Sequence, residues 1–464
     1  MAELTVEPTP IPGMVVVRLP LHGDSRGWFK ENWQREKMIA LGLPDFTPVQ
    51  NNISYNEAKG VTRGFHAEPW DKYVSVGFGR VFCAWVDLRP GSFGKTFSIE
   101  VDPGTAVFVP RGVANGFQTL EDNSVYTYLV TQHWSADLRY VSVKLDDPTV
   151  AMEWPIPLSE ATISDKDRGN PALADVAVFP AKPTAVFGAN GQLGRQLVAD
   201  FDDVAAFTRD SGDVTDATSL ARLPWGEFGA VVNAAAYTAV DVAESSDGRI
   251  AAWNANVSAV GNLVRHCNEQ NIPLVHVSSD YVFDGSKAGA YDEADELCPL
   301  GVYGQTKAAG DAVASTARQH YIVRSSWVIG DGNNFVKTMY SLARKGVSPS
   351  VVGDQLGRLT FTQDMVAAIS HLLDSRAPFG TYNLSNSGDV VSWADVAREV
   401  YRLAGADSAM VTSVTTEQYF ADKPEAAPRP LNSALDLTKI EATGFTPMDW
   451  RQRLAEYVGR LDSL

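Results

Sequence analysis

Tyr303 and Lys307 stand four positions apart in YGQTK. On a helix that spacing puts both side chains on one face. An ammonium beside a phenol lowers its pKa from about 10 toward neutrality. A phenol tuned in this way gives a proton to a carbonyl oxygen while a nicotinamide delivers hydride. Ser279, at the end of the apolar run IPLVHVSSD, supplies a hydroxyl that can hydrogen-bond the same carbonyl.

A place for the cofactor lies upstream, in VFGANGQLG at 186–194. Gly188, Gly191 and Gly194 form a GxxGxxG turn, with Asn190, Gln192 and Leu193 between them. Glycines let the backbone turn sharply and approach a pyrophosphate, which rests on the N-terminus of the next helix. The turn follows an apolar strand and opens an apolar-faced helix, the context such a turn needs. Past the second strand stand Thr208, Arg209 and Asp210. Arg209 suits a 2′-phosphate and Asp210 a ribose hydroxyl; Asp213 counts as a further cofactor contact. NADPH is expected, with NADH as the alternative.

A second group of reactive residues occupies the front of the chain. His66 follows Arg63, Lys72 comes shortly after, and Asp167 is far along but suited to orient an imidazole. An Asp-His pair makes a general base held in one tautomer. A neighbouring ammonium stabilises the enolate formed when a proton α to a ketone is removed. Arg26 and Arg63 can grip a diphosphate.

The two groups sit in stretches of different grammar. Residues 13–145 read as short strands with Gly and Pro turns, which indicates a sandwich or jelly roll. KYVSVGFGRVFCAWVDLR at 72–89 reads as a bent strand or hairpin, and TAVFVPRGVANGF and SVYTYLVT continue the pattern. From about residue 180 strands alternate with helices: TAVF at 184–187, a helix with Leu193, Leu197, Val198 and Phe201 on one face, AVVNAAA, a helical stretch near 247–270, then IPLVHVSSD. That alternation implies a parallel doubly wound sheet of the Rossmann type. The junction is expected in 165–183, DKDRGNPALADVAVFPAKP. The expected domains are 1–178 and 183–464, the latter with a small C-terminal substrate-binding subdomain.

Composition narrows the partners. The 464 residues carry a formal charge of −17, which argues against nucleic acid and anionic membrane as main partners. The three cysteines, Cys83, Cys267 and Cys298, form no CxxC pair, so neither a disulfide framework nor a zinc site is expected. No apolar run is long enough for a membrane span, and the cytoplasm is the expected location.

GANGQLGRQL, VVNAAAYTAVDVAE, SSDYVFDG, YGQTK, RSSWVIGDGNNFV, VVGDQLGRLT and PRPLNSALD resemble the dTDP-4-dehydrorhamnose reductases of the extended short-chain dehydrogenase superfamily. By that resemblance Ser279, Tyr303 and Lys307 are the catalytic triad, with Ser where the family usually has Thr. Asp280, Tyr281, Trp327 and Arg429 fall at substrate-side positions. Asn233, Ala234, Ala235 and Tyr237 fall at cofactor or substrate contacts after the fourth strand.

DSRGWFKE, PVQNNIS, GVTRGFH, DKYV, PRGVANGF and SDKDR resemble dTDP-4-dehydrorhamnose 3,5-epimerase, a cupin-type jelly roll. That resemblance makes His66 the base, Asp167 its partner, Lys72 the enolate stabiliser and Tyr128 the acid on the opposite face. Arg26, Phe29, Glu31, Gln50, Asn52 and Arg63 fall at nucleotide-sugar contacts. No metal is expected, because a metal cupin needs an HxH pair and Ala67 and Glu68 follow His66. The sequence departs from the family at Asn115, where a histidine is usual, and at Trp134, where Tyr is usual.

Together the resemblances imply a bifunctional enzyme of dTDP-L-rhamnose formation acting on a dTDP-sugar. It would invert C3 and C5 of dTDP-4-dehydro-6-deoxy-D-glucose and then reduce the 4-ketone with NAD(P)H. The alternative keeps the reductase and makes the jelly roll a non-catalytic nucleotide-sugar-binding or dimerising module. A homodimer through the jelly roll is expected.

Overall fold

The computed structural model describes residues 3–133, 140–423 and 425–461. It divides into two compact units, Met1–Ala181 and Lys182–Leu464.

In the first unit two antiparallel sheets lie face to face. The larger has the order Thr5–Pro8, Val15–Arg18, Thr105–Val109, Lys72–Phe78, Ser124–Val130, Gln50–Asn56. The smaller has the order Val141–Ser142, Thr62–Ala67, Val113–Thr119, Val81–Asp87, Thr96–Val101. Alternation along the strands builds the core. Val74, Val76 and Val107 of one sheet meet Cys83, Trp85 and Phe117 of the other. The intervening Ala84 and Val86 face outward, where Val143, Leu145, Leu173 and Phe179 cover them.

One expectation changes here. The stretch 72–89 is not a hairpin, since Lys72–Phe78 and Val81–Asp87 belong to different sheets. Gly79 makes the crossing at φ +80°, and a Cβ there would stand 2.5 Å from Ser124 Oγ. Both strands need apolar inner faces, so alternation alone does not separate a crossing from a hairpin. The stretch 165–183 contains the division between the two units, after Ala181, and is tied down ahead of it. Leu173 N donates to Asp147 Oδ2 at 2.7 Å and Phe179 N to Leu88 O at 2.7 Å, which fastens it to the first unit.

The second unit holds a six-stranded parallel sheet in the order Val204–Phe207, Thr184–Phe187, Ala230–Asn233, Leu274–Ser279, His320–Ser325, Gly380–Leu384. Successive residues feed opposite layers. Ala185, Val231 and Leu274 pack on Ala259 and Leu263; Val186, Val232 and Val275 pack on Leu197, Met365 and Ile369. Buried on both faces, these strands read as continuous apolar runs. A third cluster, with Val336, Phe361, Val400, Trp450 and Leu454, is built from residues after 327.

The helix after the glycine turn runs Gln192–Asp200 and buries Leu193 and Leu197, whereas Val198 is exposed. Asn233 ends the third strand in chain order, not the fourth. Between Phe207 and Ala230 the chain makes only short helical turns, Arg209–Gly212, Ala217–Leu220 and Trp225–Glu227.

Candidate active site

In the first unit the strand Thr62–Ala67 carries His66, and the one-turn helix Asp165–Arg168 carries Asp167. Ser164 caps that helix by accepting from Asp167 N at 3.1 Å. His66 Nε2 lies 2.8 Å from Asp167 Oδ1, and Asp167 Oδ2 accepts from Gly64 N at 3.4 Å. Burial works to raise the Asp167 carboxyl, but the hydrogen bond and charge of His66 hold it below its ordinary value.

Lys72 opens the strand Lys72–Phe78, and its Nζ sits 5.1 Å from the centre of the Tyr128 ring. Burial and then the charge of Glu68 raise the Tyr128 phenol, while Arg63 pulls it down. The phenol therefore keeps its proton near neutrality, as an acid must. Asn52 stands directly opposite Tyr128 across the strand pair, and Gln50 Nε2 donates to Asn52 Oδ1 at 2.8 Å. Lys72, Arg63 and Asn52 are thus each linked to Tyr128. Asn115 faces His66 across the sheet. It accepts from Tyr126 Oη at 2.7 Å and donates to Gly116 O at 3.2 Å.

Arg26, Phe29 and Glu31 lie elsewhere, in and after the exposed hairpin His22–Asp24 with Gly27–Phe29. Arg26 pairs with Asp24 at 2.5 Å and Glu31 with Lys37 at 2.6 Å. No hydrogen bond or ion pair among the described residues joins those three to His66, Lys72 or Tyr128. Trp134 lies outside the described residues.

Sequence reasoning gave Glu68 no role beyond not being a metal ligand. It forms a buried ion pair with Lys72 at 2.5 Å. Opposite charges four positions apart were the available signal, but that spacing implies contact only on a helix, and this segment links two strands.

In the second unit the turn is shaped by contacts that only glycine permits. A Cβ on Gly188 would lie 2.6 Å from Ala235 N, and one on Gly194 would lie 2.1 Å from Gly188 O. Gly188 has φ +81°. Gly191 caps the helix Gln192–Asp200 without a side-chain hydrogen bond, leaving its first amides for a ligand. Asn190 O accepts from Arg195 at 2.5 Å, Gln192 Nε2 donates to Asn333 O at 3.1 Å, and Leu193 is buried. Asn233 Oδ1 accepts from Ala235 N at 3.2 Å, which holds Ala234 and Ala235 against the turn. The cradle fits a dinucleotide pyrophosphate. Arg209 is exposed at the far edge of the turn region, behind the Thr208 cap. Asp213 Oδ1 is occupied by Thr215 N and Oγ1, each at 2.8 Å.

Tyr303 and Lys307 share the helix Val302–Ala314. Its approach to the 280–282 turn depends on Gly304, where a Cβ would lie 2.2 Å from Tyr281 O. The Tyr303 and Tyr281 rings meet edge to face at 5.3 Å. Ser279 Oγ reaches the Tyr303 phenol. Lys307 is 2% exposed and its Nζ donates to Val277 O at 2.7 Å. Burial lowers the Lys307 ammonium to about 8, partly offset by Asp311. Asn256 ties the loop after Asn233 to this helix: its Oδ1 accepts from Tyr237 N at 2.8 Å and its Nδ2 donates to Thr306 Oγ1 at 3.0 Å. Asn256 lies in a π-helical segment, Asn254–Ser258, with no signal in the sequence pattern.

The expected tuning of the phenol is overturned. Burial, then the charge of Asp280, pushes Tyr303 above its ordinary value, and Lys307 spends a proton on a backbone carbonyl. The spacing predicted a shared face, not the desolvation of both groups. A phenol that stays protonated is still the form that quenches an alkoxide.

Among the residues expected on the substrate side, Arg429 pairs with Asp241 at 2.5 Å and reaches the Tyr281 hydroxyl. Burial raises Tyr281 to about 12. Asp280 is buried beside Ser279, whose Oγ donates to Asp280 Oδ1 at 3.0 Å. Trp327 instead stacks on Trp393 at 3.8 Å.

Sheet order, glycine turn and the Ser279–Tyr303–Lys307 group define the second unit as a Rossmann-type reductase of the short-chain dehydrogenase class, preceded by a jelly roll. Residues 183–463 match the RmlD substrate binding domain family, and residues 8–175 match the dTDP-4-dehydrorhamnose 3,5-epimerase family. The chain belongs to both families, one in each half, and so combines an epimerase domain and a reductase domain of dTDP-rhamnose formation. A protein RmlC homolog from Streptococcus pyogenes is 46% identical over 181 residues, 37% of this chain and 90% of that protein. A dTDP-4-dehydrorhamnose reductase from Aggregatibacter actinomycetemcomitans is 37% identical over 288 residues, 58% of this chain and 96% of that protein. The crystal structure of dTDP-4-dehydrorhamnose reductase from Bacillus anthracis in complex with NADP is 31% identical, with a TM-score of 0.56 over 60% of this chain and 99% of that one.

Proposed function

We propose that the chain converts dTDP-4-dehydro-6-deoxy-D-glucose to dTDP-L-rhamnose in two successive reactions. Residues 1–178 epimerise C3 and C5, and residues 183–464 reduce the 4-ketone, with the part after 327 helping to hold substrate. The His66–Asp167 hydrogen bond at 2.8 Å carries this reading against a non-catalytic jelly roll. A structural histidine needs no buried carboxylate fixing one tautomer.

His66 takes each α-proton, Lys72 steadies the enolate oxygen, and Tyr128 returns a proton at C5. Arg63, Gln50 and Asn52 hold the nucleotide sugar, joined by Arg26, Phe29 and Glu31 when the hairpin is brought to it. For the second reaction, bound NADPH supplies hydride to C4. Tyr303 gives its proton to the developing alkoxide, and Ser279 hydrogen-bonds the same oxygen. Lys307 keeps positive charge beneath the phenol. Gly188, Asn190, Gly191, Gln192, Leu193 and Gly194 cradle the pyrophosphate, and Arg209 favours the 2′-phosphate. Asp280, Tyr281 and Arg429 face the sugar.

A homodimer forms through the larger sheet of the jelly roll. Its edge strand Gln50–Asn56 exposes Ile53 (69%) and Tyr55 (58%) outward, with Phe78 (57%) alongside. The work is assigned to the cytoplasm.

The test is incubation of the full chain with dTDP-4-dehydro-6-deoxy-glucose in D₂O, with and without NADPH. Deuterium at C3 and C5 without NADPH, and rhamnose formation with it, is the expected result. Reduction of ready-made dTDP-4-dehydro-L-rhamnose with no exchange at either carbon would sink the epimerase half.

A further inference from the structure

Ser279 has one hydroxyl proton, and the reductase reading needs it on the ketone oxygen. In the structure that hydroxyl donates to Asp280 Oδ1 at 3.0 Å and accepts from Tyr281 N at 3.2 Å. Turned this way, it has no hydrogen left for substrate. Asp280 is 3% exposed and its Oδ2 makes no hydrogen bond. The groups around it come from three elements. Ser279 and Tyr281 flank it, the Tyr303 phenol feels its charge from the helix Val302–Ala314, and the Ser433 hydroxyl favours its carboxylate from the C-terminal stretch. The Asp241–Arg429 pair lies beyond the Tyr281 ring. No cation is among the groups acting on the Asp280 carboxyl. A buried carboxylate with one unpartnered oxygen is costly when ionised and much less so when neutral.

We propose that Asp280 is a protonation switch for Ser279: the neutral acid donates to Ser279 Oγ and frees the serine hydroxyl for the ketone, whereas the carboxylate takes that hydroxyl for itself. The inference rests on the reading of Ser279 and Tyr303 as the ketone-side groups. The switch moves no proton to the sugar. The proton that Asp280 gains or loses exchanges with solvent, and the alkoxide proton still comes from Tyr303. Ionised Asp280 also raises the Tyr303 phenol, so both effects weaken reduction in the same direction. Burial lifts the Asp280 carboxyl to about 6, inside the working range of an enzyme.

The experiment is single-turnover reduction of dTDP-4-dehydro-L-rhamnose by the full chain with NADPH, across pH. An aspartate is neutral below its pKa, so the wild-type rate falls as pH rises through a midpoint near 6, approaching tenfold per unit. Asp280→Asn presents an amide that can donate to Ser279 at every pH. The ratio of its rates on either side of that midpoint collapses toward one. An Asp280→Asn variant that keeps the wild-type ratio, or a Ser279→Ala variant that keeps the same falling limb, overturns the switch. Titration of the Asp280 carboxyl by carbon NMR in the NADP-bound chain gives a readout free of activity. A midpoint near 6 supports the switch and one in the ordinary carboxylate range overturns it. Tyr303→Phe separates the two possible failures. Wild-type activity in that variant removes the phenol as proton donor, whereas lost activity there with an unaltered Asp280→Asn profile removes the switch alone.

Discussion

His66 Nε2 and Asp167 Oδ1 lie 2.8 Å apart, one on an inner strand of the smaller sheet and the other on a single helical turn that follows the jelly roll. The carboxylate fixes which ring nitrogen carries the proton and leaves the other to act as base. Asp167→Asn can keep the hydrogen bond but not the charge. Exchange of deuterium into C3 and C5 should fall by about 10²-fold or more, with reduction of the epimerised ketone unchanged. The Asp167 carboxyl is held below its ordinary value, so the pairing persists above the usual carboxylate range and is lost as pH falls through the depressed value. Titration of the Asp167 carboxyl, followed by carbon NMR, at or above the value of a free aspartate would contradict it.

Lys307 adds a second, higher fall to the alkaline side of the second reaction. Burial lowers its ammonium to about 8, and a lysine is charged only below its pKa. Reduction should therefore decline as pH rises through about 8. Lys307→Met should lose that edge together with about 10²-fold or more in rate, read by NADPH absorbance in single turnovers. An unchanged edge in Lys307→Met would assign it to another group.

Much of this was legible because it is local. A Tyr and a Lys four apart on a helix must share a face, and a glycine turn between an apolar strand and an apolar-faced helix has few other uses. What was hidden depends on tertiary placement. Lys72–Phe78 and Val81–Asp87 alternate in the same way whether they pair or cross between sheets. The direction of the Tyr303 shift is set by how deeply phenol and ammonium are buried, which spacing does not encode. Asp241 beside Arg429 and Asn256 between Tyr237 and Thr306 became visible only when chain segments were brought together.

Gly194→Ala tests the cofactor cradle. The new Cβ would fall 2.1 Å from Gly188 O, so the turn must open or the helix must shift. NADPH affinity, measured by fluorescence titration, should weaken by about tenfold or more, equal to about 1.4 kcal/mol. Exchange at C3 and C5 should be untouched. Wild-type affinity in the variant would mean that the turn does not approach the cofactor.

The exposed apolar strip on the edge strand gives the dimer its test. Ile53→Lys combined with Phe78→Lys places two like charges on the proposed contact. Light scattering should show a change from dimer to monomer, with reduction retained because neither residue belongs to the second unit. A monomeric wild type, or a double variant of unchanged mass, would remove this surface as the interface.

Asn115 stands where the resemblance to the epimerases leads one to expect a histidine, and its contacts state the cost of changing it. Its Oδ1 accepts from the Tyr126 hydroxyl at 2.7 Å and its Nδ2 donates to Gly116 O at 3.2 Å. Tyr126 is 2% exposed and stacked on Phe117 at 4.1 Å. Asn115→Ala strands that hydroxyl, and an unpartnered buried donor costs about 1–3 kcal/mol. Denaturant unfolding of the full chain should show that loss in the transition assigned to the first unit. Tyr126→Phe in the same background removes the stranded group and should recover part of it, since deleting both partners of a buried hydrogen bond costs less than deleting one. Asn115→Ala with undiminished stability would mean that Asn115 is kept for the substrate rather than for the fold.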